Sequence, residues 1–208
     1  NQSIGILGTS KGGELALLLA SQFSEFQSVA AVGPSAVVHS GLGVTEKGNL
    51  SSSWSFKGQP LPFAWNENKA VIANRLIEEQ KSLKLGISYK EWYRMHTFNA
   101  PEETHIPVES IKAPILLVSG DDDQIWPSSY YCKLVMERLE RHHFIYNYHH
   151  IHYPKAGHSI YHPGMPTTES EVVNYGQFKL RLGGSPQANA KASFDSWTKI
   201  IAFFKENL

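Results

Sequence analysis

Apolar positions follow two different periods along this chain, and the changes of period mark its organisation. Ser3-Ile4-Gly5-Ile6-Leu7 is a short run of buried-strand type, and Glu14 to Phe23 continues as a helix too apolar to lie on a surface. Ser28-Val29-Ala30-Ala31-Val32-Gly33 is a second short strand, closed by Gly33-Pro34. Strand, helix and strand in this order predict a right-handed parallel unit. From Ser35 to about Pro62 no period is sustained, and Gly, Ser and Pro are frequent among scattered aromatics. Val71, Ile72, Leu76 and Ile77 then recur at helical spacing within Asn66 to Lys84. Ser88-Tyr89-Lys90-Glu91 has the form of a capping box opening a short helix through Trp92 and Met95. Residues 35–100 together are expected to form a cap inserted between sheet strands.

Strand and helix alternation resumes at Ile115-Leu116-Leu117-Val118-Ser119, a continuous apolar run of the parallel, doubly covered kind, ending in Gly120-Asp121-Asp122-Asp123. Ser128 to Glu140 carries Tyr131, Leu134, Val135 and Leu139 on one helical face. Tyr146 to Tyr153 is a further strand, rich in histidine, and runs into Pro154-Lys155-Ala156-Gly157-His158. A loop of Pro, Gly and Ser is expected up to about Ala190. Phe194, Trp197, Ile200, Ile201 and Phe204 then make the apolar stripe of a closing helix.

The turn joining the first strand to the first helix is Gly8-Thr9-Ser10-Lys11-Gly12, of the form G-x-S-x-G. Its spacing suits a sharp strand-to-helix turn in which the serine backbone is strained and the residues two away on either side have to be small. Such a turn lifts the hydroxyl clear of the sheet and frees N–H groups at a helix N-terminus. The backbone N–H of Lys11 is therefore the expected oxyanion donor, while its side chain is expected to point to solvent. A serine needs a histidine to take its proton and a carboxylate to orient that histidine. In a doubly wound sheet these groups come from loops at the carboxyl ends of strands. Three strand ends supply Ser10, an aspartate among Asp121 to Asp123, and His158, in the chain order of α/β-hydrolases. The strand-Gly-x-x-Asp form of Leu117 to Asp123 resembles the acid turn of many such enzymes and selects Asp123, with Asp122 as the alternative. The fold class read from these patterns is α/β, the C-terminal portion of an α/β-hydrolase: a parallel sheet with helices on both faces and a cap insertion.

Charge and composition narrow the partners. At 208 residues the chain fits one domain with a sizeable core. Its zero net charge argues against nucleic acid or an anionic membrane, which need a concentrated positive field. No run approaches the length of a membrane span. One cysteine, Cys132, leaves no internal disulfide; it is expected to be packed, and a cytoplasmic location is expected. His150 and His152 share one face of a strand by the period of two, but spacing marks no third ligand, so a surface strand is expected and no metal. Trp54, Phe56, Phe63 and Trp65 are expected to line an acyl pocket, the alternative being that they pack the cap against the body.

Gly8 to Glu14, Ile106-Pro107-Val108-Glu109, Gly120 to Trp126 and Tyr153 to His158 together resemble the catalytic domain of the acyl-CoA thioesterase and bile acid-CoA:amino acid N-acyltransferase family. The resemblance spans Ile4 to the last helix and maps that family's triad onto Ser10, Asp123 and His158. Because the acyltransferase branch uses cysteine as nucleophile, Ser10 implies the hydrolase side, acting on acyl-CoA thioesters. No cofactor is implied, coenzyme A being part of the substrate. The alternatives are a carboxylesterase or dienelactone-hydrolase-like esterase and, from another class, a non-catalytic binding or regulatory module. Family members also carry an N-terminal β-sandwich domain and earlier strands of the hydrolase sheet. The chain is therefore expected to be part of a longer protein and a poor catalyst alone, with the apolar Ile4 edge covered by a missing segment or by a second copy.

Overall fold

The structure is a computed structural model of residues 1–208 and describes all of them except 1–2, 45–49, 66, 82–85, 161–162, 168–171 and 176–177. The chain begins with β1 (Ile4–Thr9), α1 (Lys11–Gln22) and β2 (Phe26–Val32). Next come two short hairpins, β3 (Ser40–Val44) with β4 (Leu50–Ser52) and β5 (Ser55–Phe56) with β6 (Gln59–Pro60), and the helices α2 (Glu67–Lys81) and α3 (Lys90–Thr97). The last section holds β7 (Ile115–Gly120), α4 (Ser128–Arg141), β8 (Tyr148–Tyr153), the hairpin β9 (Val172–Tyr175) with β10 (Phe178–Arg181), and α5 (Pro186–Asn207).

β1, β2, β7 and β8 form one parallel sheet in the order β1-β2-β7-β8. Side chains alternate between the faces of a strand, and in the two central strands, β2 and β7, both faces are apolar because both are covered. Val29, Ala31, Ile115 and Leu117 pack with Leu17 and Leu18 of α1 and with Tyr131, Val135 and Leu139 of α4. Ala30, Val32, Leu116 and Val118 point the other way, toward Ala192 and Ile200 of α5. Because all four strands are parallel, their carboxyl ends lie along one edge of the sheet. That edge collects the turn at Ser10, the bend at Gly33, the aspartates after β7 and the loop after β8.

Among the described residues β1 pairs with β2 alone, and Ile4 and Leu7 are 49% and 38% exposed. None of β3–β6, α2 or α3 joins the main sheet. The helix expected over Asn66 to Lys84 is observed as Glu67–Lys81; its remaining positions lie outside the described residues. The capping box expected at Ser88 is absent. α3 starts after Tyr89, the Ser88 hydroxyl donates instead to the Gln124 carbonyl at 2.9 Å, and Glu91 pairs with Arg94. The loop expected to reach Ala190 contains β9 and β10, and α5 begins earlier, at Pro186. Ser185 caps it by accepting the Ala188 N–H, with Pro at the first helical position, where a missing N–H does no harm.

Candidate active site

Ser10 closes β1 with φ 54° and ψ −121°, a backbone conformation that an L residue adopts only under strain. Its N–H donates to the Val32 carbonyl at 2.7 Å, and its own carbonyl accepts the N–H groups of Gly13 and Glu14. Two strand ends and a helix start therefore fix this one residue. A Cβ at Gly8 would overlap the Gly12 carbonyl, so glycine is required there; at Gly12 the Cβ direction is open. Smallness is thus needed on one side of the serine, not on both as its spacing suggested. Lys11 N–H opens the helix, where the first donors have no intrahelical acceptor.

The acid and the histidine come from the next two loops. Asp123 is 1% exposed, and its Oδ1 accepts the N–H groups of Ile125 and Trp126 at 3.0 and 3.2 Å. Its Oδ2 lies 2.8 Å from His158 Nδ1, and His158 Nε2 lies 2.8 Å from Ser10 Oγ. A proton on Nδ1, donated to the Asp123 carboxylate, leaves Nε2 to accept from the hydroxyl. The Trp126 indole N–H donates to the Gly33 carbonyl at 2.9 Å, and its ring meets His158 at 6.1 Å between centroids, edge to face. Asp122 turns away: Gln124 Nε2 and the Gly184 N–H donate to its two oxygens at 2.6 and 2.9 Å. It ties the acid loop to the turn before α5.

The Lys11 side chain does not run to solvent. Its ammonium lies 2.9 Å from both oxygens of Glu14, a carboxylate with no exposed surface. Burial drives the Lys11 pKa down and the Glu14 pKa up, and their mutual attraction opposes both shifts. Glu14 also accepts the Trp54 indole N–H at 2.7 Å and the His39 amide at 3.3 Å. Behind it, His39 Nε2 lies 2.9 Å from the Tyr131 hydroxyl, which lies 2.9 Å from Thr97 Oγ1. Burial holds the His39 pKa well below the ordinary value, so its ring is neutral. Nothing in the spacing of Glu14, His39, Thr97 and Tyr131 announced this network. The one local signal was an acidic residue in the first helical turn.

Of the four aromatics expected around the site, Trp54 alone is tied to the Ser10 turn, through Glu14. Phe56 stacks edge-on with Phe23, 6.3 Å between centroids, at the far end of α1, a helix ~18 Å long. Phe63 is half-buried against the α1 and α4 side of the core. Trp65 lies flat on His96 at 4.5 Å and close to Trp92.

A second chain of hydroxyl, imidazole and carboxylate lies on the other side of β7. His150 Nε2 is 2.8 Å from Ser119 Oγ, which is 2.9 Å from Ser129 Oγ. Ser129 Oγ donates to Asp121 Oδ1 at 2.6 Å, and Asp121 Oδ2 lies 3.1 Å from His152 Nδ1. No group of three or more His, Cys, Asp or Glu side chains able to hold a metal ion occurs among the described residues. Cys132 is buried, which pushes its thiol pKa up. No described helix is long and apolar enough to cross a membrane.

A parallel sheet covered by helices on both faces, with a serine on a strained turn from strand to helix and further polar side chains on the succeeding strand ends, defines an α/β-hydrolase fold. The family described as BAAT / acyl-CoA thioester hydrolase C terminal matches residues 1–208, and the chain belongs to it. It is 29% identical over 211 residues to acyl-coenzyme A thioesterase 6 of Homo sapiens, covering 99% of this chain and 44% of that protein. To acyl-coenzyme A thioesterase 2, mitochondrial, of Mus musculus it is 30% identical over 205 residues, covering 99% and 40%. The chain thus spans less than half the length of these relatives. A putative dienelactone hydrolase from Klebsiella pneumoniae overlaps 96% of this chain and 50% of its own, with 13% identity and a TM-score of 0.46.

Proposed function

We propose that this chain carries the catalytic centre of an acyl-CoA thioester hydrolase. The observation that carries the reading is the continuous line from Asp123 through His158 to the strained Ser10, at 2.8 Å per link, in a chain of a thioester hydrolase family. Ser10 Oγ attacks the thioester carbonyl carbon while His158 Nε2 takes its proton, and the buried Asp123 stabilises the imidazolium that forms. The carbonyl oxygen becomes an oxyanion beside Lys11 N–H at the positive end of α1. Collapse breaks the carbon–sulfur bond, and His158 returns the proton to the departing thiolate. Water then attacks the acyl-serine with His158 again as base, releasing the acid and restoring Ser10. Nucleophile, base and oxyanion donor all come from the chain, so the reaction as written calls for no metal or organic cofactor. The cytoplasm as its compartment belongs to the same proposal.

The test is turnover of a panel of acyl-CoA thioesters and matched p-nitrophenyl esters by the full-length protein, with the Ser10→Ala variant alongside. Thioester cleavage that the variant loses is expected. Cleavage of the esters alone would mark a carboxylesterase, and cleavage of neither a binding module. Fractionation of cells producing the full-length protein checks the compartment.

A further inference from the structure

Glu14 takes no part in the chemistry just described, yet it is the most fully engaged carboxylate beside the nucleophile. It is completely buried and takes four donated hydrogen bonds: two from Lys11 Nζ, one from the Trp54 indole and one from the His39 amide. A buried ion pair adds little to stability over a well-packed apolar pair, so stability alone gives a weak reason for it. Its placement gives a stronger one. Lys11 and Glu14 occupy the first turn of α1, and the Lys11 residue whose side chain Glu14 grips is also the residue whose N–H the proposed mechanism sets against the oxyanion. The ammonium held by Glu14 lies 5.8 Å from the centroid of the Trp126 ring and 6.0 Å from that of Trp54. Trp126 in turn donates its backbone N–H to Asp123 and rests its ring against His158. One carboxylate thereby ties together the turn bearing Ser10, the loop bearing Asp123 and the segment bearing Trp54.

We propose that Glu14 is a positioning residue, which aims the Lys11 N–H and braces Trp126 behind the Asp123–His158 pair. This rests on the acyl-transfer reading of Ser10, and it concerns geometry reached only in the transition state. A misplacement of about 1 Å is enough to lower such rates ~100-fold. Loss of Glu14 should therefore lower kcat with little change in KM.

The experiment uses the full-length protein with Glu14→Gln and the double variant Lys11→Met/Glu14→Gln. The double variant removes both charges, so no unpaired charge remains buried. Three quantities are read for each: the fraction of enzyme that a fluorophosphonate labels to completion, the rate of that labelling, and kcat with KM on an acyl-CoA. The expected result is a fully labelled fraction in both variants, with labelling rate and kcat lowered together about 10-fold or more and KM within about 3-fold. The double variant should recover thermal stability without recovering rate. If it recovers rate and stability together, Glu14 only neutralises Lys11 and the proposal falls. It falls equally if Glu14→Gln keeps both rates, or if the labelled fraction drops in step with kcat in both variants. Ser10→Ala is the control: retained turnover there overturns the catalytic reading itself, whereas its loss beside an unaffected Glu14→Gln overturns this inference alone.

Discussion

The two hydroxyl–imidazole–carboxylate chains at the carboxyl edge of the sheet have the same ingredients and differ in everything that would let them react. In one, Ser10 stands on a strained turn at the head of α1, and a single histidine bridges it to a buried carboxylate. In the other, Ser119 lies inside the regular strand β7 with no exposed surface, its hydroxyl 2.9 Å from that of Ser129 in the first turn of α4. His150 reaches Ser119, but the carboxylate of Asp121 contacts Ser129 and a different histidine, the exposed His152. Among the described residues the Asp121 carboxylate pairs with Ser129 and His152 and not with the His150 ring, so an imidazolium formed at His150 would have no carboxylate hydrogen-bonded to it. Residue types at a strand end therefore do not make a nucleophile. The turn that presents the hydroxyl and the ring that joins both partners do.

The comparison breaks most sharply on the two serines. In the full-length protein Ser10→Ala is expected to lower kcat on an acyl-CoA by ~10⁴-fold or more, as the loss of a triad member does. Ser119→Ala should leave kcat within about 2-fold. A large loss from Ser119, or survival of Ser10→Ala, would erase the distinction. The neighbouring aspartates sharpen it. Asp123→Asn keeps the shape and should lower kcat by ~10³ to 10⁴-fold, because an amide can hold His158 in the wrong tautomer. Asp122→Asn should change kcat little and lower the melting temperature instead, since Asp122 accepts the Gly184 N–H.

These contrasts separate what was legible in the chain from what was not. β2 and β7 were legible because strands buried on both faces must be apolar throughout, β1 as a short apolar run although Ile4 and Leu7 are partly exposed, and the Ser10 turn because strand and helix flank it. Asp123 was separable from Asp122 by its distance from the strand end. Glu14 was not legible: its partners His39 and Trp54 lie 25 and 40 positions away, and a carboxylate in a first turn ordinarily reads as a match to the helix dipole. The Lys11 side chain, expected to point to solvent, is instead held by that carboxylate three positions on. The hairpin β9 and β10 and the start of α5 were hidden in a stretch dominated by Pro, Gly and Ser, although Ser185-Pro186 is a usable helix-start signal. The capping box at Ser88 misled because the Ser88 hydroxyl found a tertiary partner, Gln124.

A smaller effect separates the two chains by pH. His150 is held at about 4, first by burial and then by the nearby His152. Its value in the unfolded chain is near 6.5. Between these values the unfolded form binds more protons, so stability is complete above about pH 6.5 and is lost as pH falls toward 4. The buried, neutral His39 acts in the same sense. Melting temperatures measured from pH 7.5 to 4.5 should fall, and His150→Asn should make the fall shallower while leaving kcat at pH 7.5 unchanged. An unaltered slope in that variant would remove His150 from the account.

The central claim, that Ser10 carries the acyl group, is tested most directly by trapping the acyl-enzyme. The full-length protein is mixed with a long-chain acyl-CoA, quenched in acid within a turnover and digested for peptide mass spectrometry. The account predicts the acyl mass on the peptide containing Ser10, fragment ions placing it on that residue, and none in Ser10→Ala. An acyl group found on another residue, or undiminished release of coenzyme A by Ser10→Ala, would contradict it.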